Sequence, residues 1–371
     1  MKKAFVFALA LIMLLGLVAC GNSAAPKTNT PAASTGTTTV DDSQIGDHSA
    51  MADPKTVGID KKISIRLAHD YSPNSANDIG MAWYAEEVLN RSGGMIEIEV
   101  FGNSELSGGN SQVTTQLLQA GDIDMAIFPP PTTAVPQCMI YALPFLFKNA
   151  DQALSISEGE CGQMLLDAMQ AAGMQGLGFC SIGMREFTND VKPFVHPEDM
   201  KGLKMRCLEG KLGKVMYTTY EAMPVATSMG ELYLSLQQGA VDGQENPCST
   251  IKNKAFNEVQ KYLSITDHVW SYAVFGANAS FWNNLPEAAQ KILRETATEA
   301  CRKISKLAPE KEEEALNWLI TEGGMEVNYL TDAEKDEWLQ ASLPIYKEME
   351  EDITPEVMDA FFKALGIQKT W

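Results

Sequence analysis

Ile63-Ser64-Ile65-Arg66-Leu67-Ala68 alternates apolar with small or charged side chains, the two-residue period of a strand. Asn77 to Arg91 follows, with Ile79, Ala82, Trp83 and Leu89 at helical spacing, and Ser92-Gly93-Gly94 ends it. Ile96, Ile98 and Val100 alternate with Glu97 and Glu99, a second strand. A helix from Gln112 to Gln119 and a strand Asp124-Met125-Ala126-Ile127-Phe128 complete the run. Strand, helix, strand, helix, strand predicts α/β architecture with parallel strands and covering helices. In such sheets a ligand collects at the carboxyl ends of the strands.

The pattern starts again downstream. Gly202-Leu203-Lys204-Met205-Arg206 reads as a strand, Gly213 to Met223 as a helix and Pro224-Val225-Ala226 as extended. Glu231 to Gln238 reads as a helix and Ala240-Val241-Asp242-Gly243 as a strand. Two α/β units predict two lobes with a cleft between them. From Pro286 to about Ile320, Ala289, Ile292, Leu293, Thr296, Ala300, Ile304 and Leu307 keep helical spacing. A helix of that length can span both lobes, and Pro309 predicts a kink or break in it. Two terminal helices follow. One opens with the capping box Thr331-Asp332-Ala333-Glu334, the other with Thr354-Pro355, closing at Gly366.

Composition narrows the function. The 371 residues are 45% apolar, enough for a full core, and carry 29 Lys and Arg against 48 Asp and Glu. A net charge of -19 excludes a nucleic-acid binder, whose phosphate partners are met by Lys and Arg. Four histidines without HExxH or CxxC pairing predict no metal site. Asp47-His48-Ser49 resembles a ligand set, but its Ser- and Pro-rich surroundings read as solvated linker.

Lys2-Lys3 and the apolar run Ala4 to Ala19 form a signal peptide, too short for a membrane span. Leu17-Val18-Ala19-Cys20 resembles a bacterial lipobox, which implies cleavage before Cys20 and lipid on that residue. The alternative is a plain signal peptide with an incidental cysteine. Lipid at Cys20 would hold the protein on the outer face of the cytoplasmic membrane. Residues 20–58 read as a flexible Ser/Thr/Pro/Ala tether, with the folded part at 59–371. The six cysteines beyond Cys20 are widely and irregularly spaced, which favours buried free thiols although export permits disulfides.

Several segments, in order, resemble the solute-binding proteins of TRAP transporters, the family typified by C4-dicarboxylate binders. They include Leu67-Ala68-His69, Ala120-Gly121-Asp122-Ile123-Asp124 and Leu143-Pro144-Phe145-Leu146-Phe147. Gly183-Met184-Arg185-Glu186-Phe187-Thr188-Asn189 and Pro197 to Arg206 also match, as does Leu236 to Pro247 with Gly243-Gln244-Glu245-Asn246. The resemblance implies a two-lobed, periplasmic-binding-protein-like fold that closes on a small organic acid. It implies delivery of that acid to TRAP membrane permease subunits, no catalytic residues, no cofactor and a monomer. The lobes are expected at about 59–183 with 271–308, and 184–270 with 309–371. A lipoprotein serving an ABC-type importer or receptor, and an exported organic-acid enzyme, are the alternatives.

The candidate ligand-binding residues are Arg206, Arg185, Asn246, His69, Asn77 and Tyr233. Arg206 ends a strand, and a guanidinium matches a carboxylate with a planar fork. On residue type alone a surface salt bridge competes, and the resemblance makes Arg206 the carboxylate clamp. Arg185 either contacts the ligand or fixes the hinge. Asn246 is either a ligand contact or a turn residue before Pro247. Glu245 reads as a structural carboxylate. His69, Asp70 and Asn77 follow the first strand, where the family lines its cleft, and His69 is equally a helix-start histidine. Met229 precedes Glu231-Leu232-Tyr233 where many members carry an aromatic, which leaves Trp270 and Tyr272 either to replace it or to pack in the core.

Overall fold

The computed structural model describes residues 45–369 and 371. The expected signal peptide, Cys20 and the expected tether up to residue 44 lie outside them. The chain builds one nine-stranded sheet. Its first part is β1 (Ile63–His69), α1 (Ala76–Arg91), β2 (Ile96–Phe101), α2 (Ser111–Ala120) and β3 (Met125–Phe128), with the three strands parallel as expected. Ser75 caps α1 by accepting from the Asp78 N–H, and Asn110 caps α2 through Gln112. A 3₁₀ turn, Pro136–Ala142, leads to α3 (Ala150–Ser157) and α4 (Glu160–Ala171).

The second part begins on β4 (Met174–Asn189) and continues through β5 (Lys204–Cys207), α5 (Lys211–Thr219), β6 (Met223–Ala226), α6 (Met229–Gln237), β7 (Gly243–Asn246) and α7 (Cys248–Asn253). The chain returns on β8 (Tyr262–Asn278), then α8 (Ala279–Asn283), α9 (Glu287–Thr321), β9 (Glu326–Tyr329), α10 (Asp332–Ile353) and α11 (Pro355–Leu365). The strand order is β2-β1-β3-β8-β4-β7-β5-β6, with β9 on β8. β4 and β8 are the shared strands. The end of β8 pairs with β3, while the end of β4 pairs with β7. Between those ends the β4–β8 register shifts at Gly176/Gly178, Ser181/Gly183 and Arg185/Phe187. Each bulge bends the ribbon where the two halves of the sheet meet.

α9 ties the halves together. Its Ala289 to Ala308 face joins the core of α1, β1 and β3, and its Ala315 and Leu319 join a separate core with α6 and α7. The expected kink at Pro309 is not a break, since α9 runs on to Thr321 with the proline on its exposed face. The terminal helices, expected with the second lobe, bridge both. α10 packs on α5 and on the Pro136–Ala142 turn, and α11 packs on α4.

The folded part begins before the boundary expected at residue 59. Ile45 is only 7% exposed and belongs to the α1–α9 core. Ser49 donates its N–H and hydroxyl to buried Glu87, and Lys303 Nζ donates to the Ile45 carbonyl. Residues 45–54 are therefore a strap on the folded part rather than solvated linker, because one apolar anchor and a buried carboxylate offset the cost of ordering them. The strand read at Ala240–Gly243 begins at Gly243, because the Ala240 and Val241 N–H groups close the end of α6 on the Ser235 carbonyl. All six described cysteines are free and buried.

Candidate functional site

The carboxyl ends of β1, β3, β5 and β7 open onto one cavity of about 450 Å3. That volume holds a small molecule and no polymer. Its second-lobe wall is built on β5 and β7, and Arg206 stands in β5 with 0% exposure. The Arg206 Nε donates to the Thr227 carbonyl at 2.9 Å. Nη1 and Nη2 are buried, line the cavity and have no hydrogen-bond partner in the protein. Burial pushes the guanidinium down to about 10, against the pull of Glu245, so it stays a cation at neutral pH. A buried cation with an unused fork needs a compensating anion, and the cavity is the one direction from which it can come.

Arg185 is differently placed. It sits at the β4 bulge, and its Nε and Nη2 hold the Glu245 carboxylate. Nη2 also reaches the Glu245 carbonyl at 2.6 Å and Asn246 Oδ1 at 3.0 Å, while Nη1 donates to Ser271 Oγ at 3.2 Å. Burial alone would raise the Glu245 carboxyl. Arg185 and His268 outweigh it and bring it down to about 2. His268 stacks on Phe187 at 3.8 Å and places Nε2 3.6 Å from Glu245. Burial lowers its own pKa, so the ring is neutral at pH 7. Asn246 lines the cavity with Oδ1 on Arg185 and Nδ2 on Gln244 Oε1.

The other three candidates do not line it. His69 is buried on the opposite side of β1 from Asp70, as strand alternation requires. Its Nε2 lies 3.2 Å from Asp78 Oδ1, and Gly102 leaves it room, since a Cβ there would stand 2.7 Å from that nitrogen. Asn77 is buried in the first turn of α1, away from the cavity. α6 turns Leu232 and Leu236 into the core, which leaves the Tyr233 hydroxyl to donate to Glu258 at 2.7 Å on the flank.

Sequence reading missed two lining tyrosines. The hydroxyls of Tyr71 and Tyr217 are buried in the cavity wall without partners. Tyr71 had a signal, its place just past the end of β1; Tyr217 lies on an apolar helix face that reads as core. Trp270 and Tyr272 pack in the core and also line the cavity. They line the cavity stacked at 5.0 Å, with their polar tips on Ser181 Oγ and the Cys138 carbonyl. Among the described residues no cluster of His, Cys, Asp and Glu could hold a metal ion.

The family model described as bacterial extracellular solute-binding protein, family 7 matches residues 67–352. The chain belongs to this family, the DctP-type solute-binding proteins of TRAP transporters. It is 31% identical over 304 residues to the C4-dicarboxylate-binding periplasmic protein DctP of Rhodobacter capsulatus, across 80% of this chain and 90% of that protein. Among solved structures it resembles a TRAP periplasmic solute-binding protein of Shewanella oneidensis with bound succinate, with a TM-score of 0.77 and 28% identity over 82% of this chain and 99% of the other. The sugar acid binding protein of Advenella mimigardefordensis with galactonate matches equally well, with a TM-score of 0.77, 28% identity, 82% of this chain and 99% of the other. Membership explains why the matching stretches fall on the β4 bulge, β5 and β7, the parts that build this cavity.

Proposed function

We propose that this family member is an extracytoplasmic receptor that captures a small organic carboxylate and delivers it to a TRAP permease for uptake driven by an ion gradient. The carrying observation is the Arg206 fork, buried, charged and unmatched at the wall of the cavity. The succinate and galactonate held by its relatives share a carboxylate, the group that such a fork fits. Arg185 supports rather than clamps, because most of its donors are engaged by Glu245, Asn246 and Ser271. Binding without chemistry fits the surroundings. The Thr266–His268–Glu245 chain resembles a catalytic relay, yet the Thr266 hydroxyl lies outside the cavity.

A thermal-shift screen with small carboxylates tests the reading. A ligand at a hundred times its Kd should add about 2.7 kcal/mol of stability. Arg206→Lys keeps the charge and loses the fork, and Arg206→Ala leaves the bound carboxylate unmatched, a loss of about 2–5 kcal/mol or roughly thirty- to several-thousand-fold in Kd. Losses below about fivefold for both folded variants would remove the clamp. The receptor is also proposed to be held at the membrane by lipid on Cys20. Cys20→Ala should release it to the soluble fraction, and retention in the membrane fraction would refute the anchor.

A further inference from the structure

Glycine backbone meets glycine backbone across the mouth of the cavity. On the β1 side, residues 102–110 link β2 to α2 and wrap around Asp70. Ser107 Oγ donates to the Asp70 carboxylate at 2.6 Å, Thr114 Oγ1 donates to it at 2.8 Å, and Ser104 Oγ donates to the Asp70 carbonyl at 3.2 Å. The Gly108 N–H closes a turn on the Ser104 carbonyl at 2.9 Å, and the Ser104 N–H binds the His69 carbonyl at 3.0 Å. The loop is thus fixed to the end of β1. On the β5 side stands the first turn of α6, with Gly230 against the loop. A Cβ on Gly230 would lie 2.6 Å from the Gly108 carbonyl oxygen, and one on Gly109 would lie 2.7 Å from the Gly230 nitrogen. Gly109, Asn110, Ser228 and Met229 line the cavity beside this contact, and Gly230 itself does not.

The two sides need glycine for different reasons. Gly109 has φ +83, which favours glycine whatever lies opposite. Gly230 has no such reason, since it lies in the helical backbone of α6, where alanine is preferred. Its constraint comes from the opposite loop. A carbon needs about 3.3 Å from a carbonyl oxygen, so a Cβ on Gly230 would part the two sides by several tenths of an ångström. The loop cannot swing aside as the end of a side chain can, because its bonds to Asp70 and His69 hold it. The start of α6 is also tied to the anion site. Arg206 Nε donates to the Thr227 carbonyl, the Thr227 N–H donates to the Cys207 carbonyl at 3.1 Å, and α6 begins two residues on. Parting the contact therefore draws the Arg206 fork away from the β1 wall.

We infer that Gly230, seated against Gly108 and Gly109, is the stop that fixes how far the cleft closes, and that it sets affinity without touching the ligand. This rests on the carboxylate-receptor reading and adds a residue to it. Calorimetry on the full chain with succinate and with galactonate tests it, beside urea unfolding without either acid. Gly230→Ala and Gly230→Ser should each keep or raise the urea midpoint, since a helix accommodates both better than glycine. Each should weaken whichever acid binds the natural protein by about tenfold, and both acids by the same factor where both bind, because the stop meets neither. Leu234→Ala, exposed one turn along α6, should leave affinity within about twofold. A second measurement needs no acid. With Gly108→Cys and Gly230→Cys in one chain, oxidised glutathione should take up both thiol hydrogens, and peptide mapping should find the two substituted positions joined. Losses under about twofold for both Gly230 variants, a loss confined to one of two bound acids, a fall in the urea midpoint of both variants, or no cross-link would overturn the inference. A cross-link with neither acid bound by the natural protein would uphold the stop and count against the receptor reading beneath it.

Discussion

Arg206 and Arg185 show how two guanidiniums lining one cavity take different work. Arg206 is buried and Arg185 half-buried, and each needs an anion. Arg185 has one built in, Glu245, and the pair is rigid because both nitrogen and carbonyl contacts fix it. Arg206 spends one nitrogen on the Thr227 carbonyl and keeps two. A third charged residue near this cluster is set for a different outcome. Glu312 on α9 accepts from the Ser249 N–H at 3.2 and 3.4 Å, at the start of α7. Burial pushes its carboxyl up to about 7, with Ser249 and Arg185 pulling the other way. The folded state thus holds a proton that the unfolded chain releases near its ordinary value. The resulting stability is complete below the unfolded pKa, declines as pH rises through about 7, and is gone above that. At 1.36 kcal/mol per unit, discounted for partial exposure, the decline amounts to about 1–3 kcal/mol. Urea unfolding at pH 5 and pH 8 should show it in the natural protein. Glu312→Gln should flatten it, and an unchanged pH slope in that variant would rule out Glu312 as its source.

Among elements, β4 and β8 decide the architecture, and they are the ones that were hardest to read. The first α/β unit was legible because its strands and helices alternate in character and its caps are conventional. β8 is buried along almost its whole length, so its residues show no alternation of apolar and polar side chains. β4 is interrupted by bulges that reset its period. The site was legible in part for a related reason. Arg206 and Asn246 sit at strand ends that the pattern located, whereas Tyr217 is a helix residue whose hydroxyl alone distinguishes it from core. Nor could spacing reveal that Arg185 already had its carboxylate, a pairing across 60 residues. The bulge at Ser181/Gly183 carries its own prediction. Gly183 has φ +140, and a Cβ there would lie 2.8 Å from Glu312 Cγ on α9. Gly183→Ala meets both a backbone that disfavours a side chain and the helix spanning the two halves. It should lower unfolding stability by about 1–3 kcal/mol, and a loss under about 0.5 kcal/mol would show that the bulge tolerates a side chain.

At the scale of the molecule, the halves of the sheet are joined by β4, β8 and α9, and the groups lining the cavity come from both sides of it. Tyr71 belongs to the β1 side, Arg206 and Tyr217 to the β5 side. A ligand that binds both stabilises the arrangement bringing them closest, and it can shift the equilibrium only by its extra contacts in that arrangement. The bulges in β4 are where the ribbon can bend with least loss of pairing, while the largest core runs unbroken from Leu118 and Phe128 on the β3 side to Met205 and Val215 on the β5 side. α10 limits the travel, since it packs on both α5 and the Pro136–Ala142 turn. Solution scattering should therefore show a smaller radius of gyration at saturating ligand, with a modest change. Arg206→Lys should retain the larger radius under the same ligand concentration, because it removes the carboxylate fork on the β5 side without touching the joining strands. An unchanged profile for the natural protein at confirmed saturation would mean a rigid cleft. The receptor would then lack the liganded shape by which a permease could tell it from the free one.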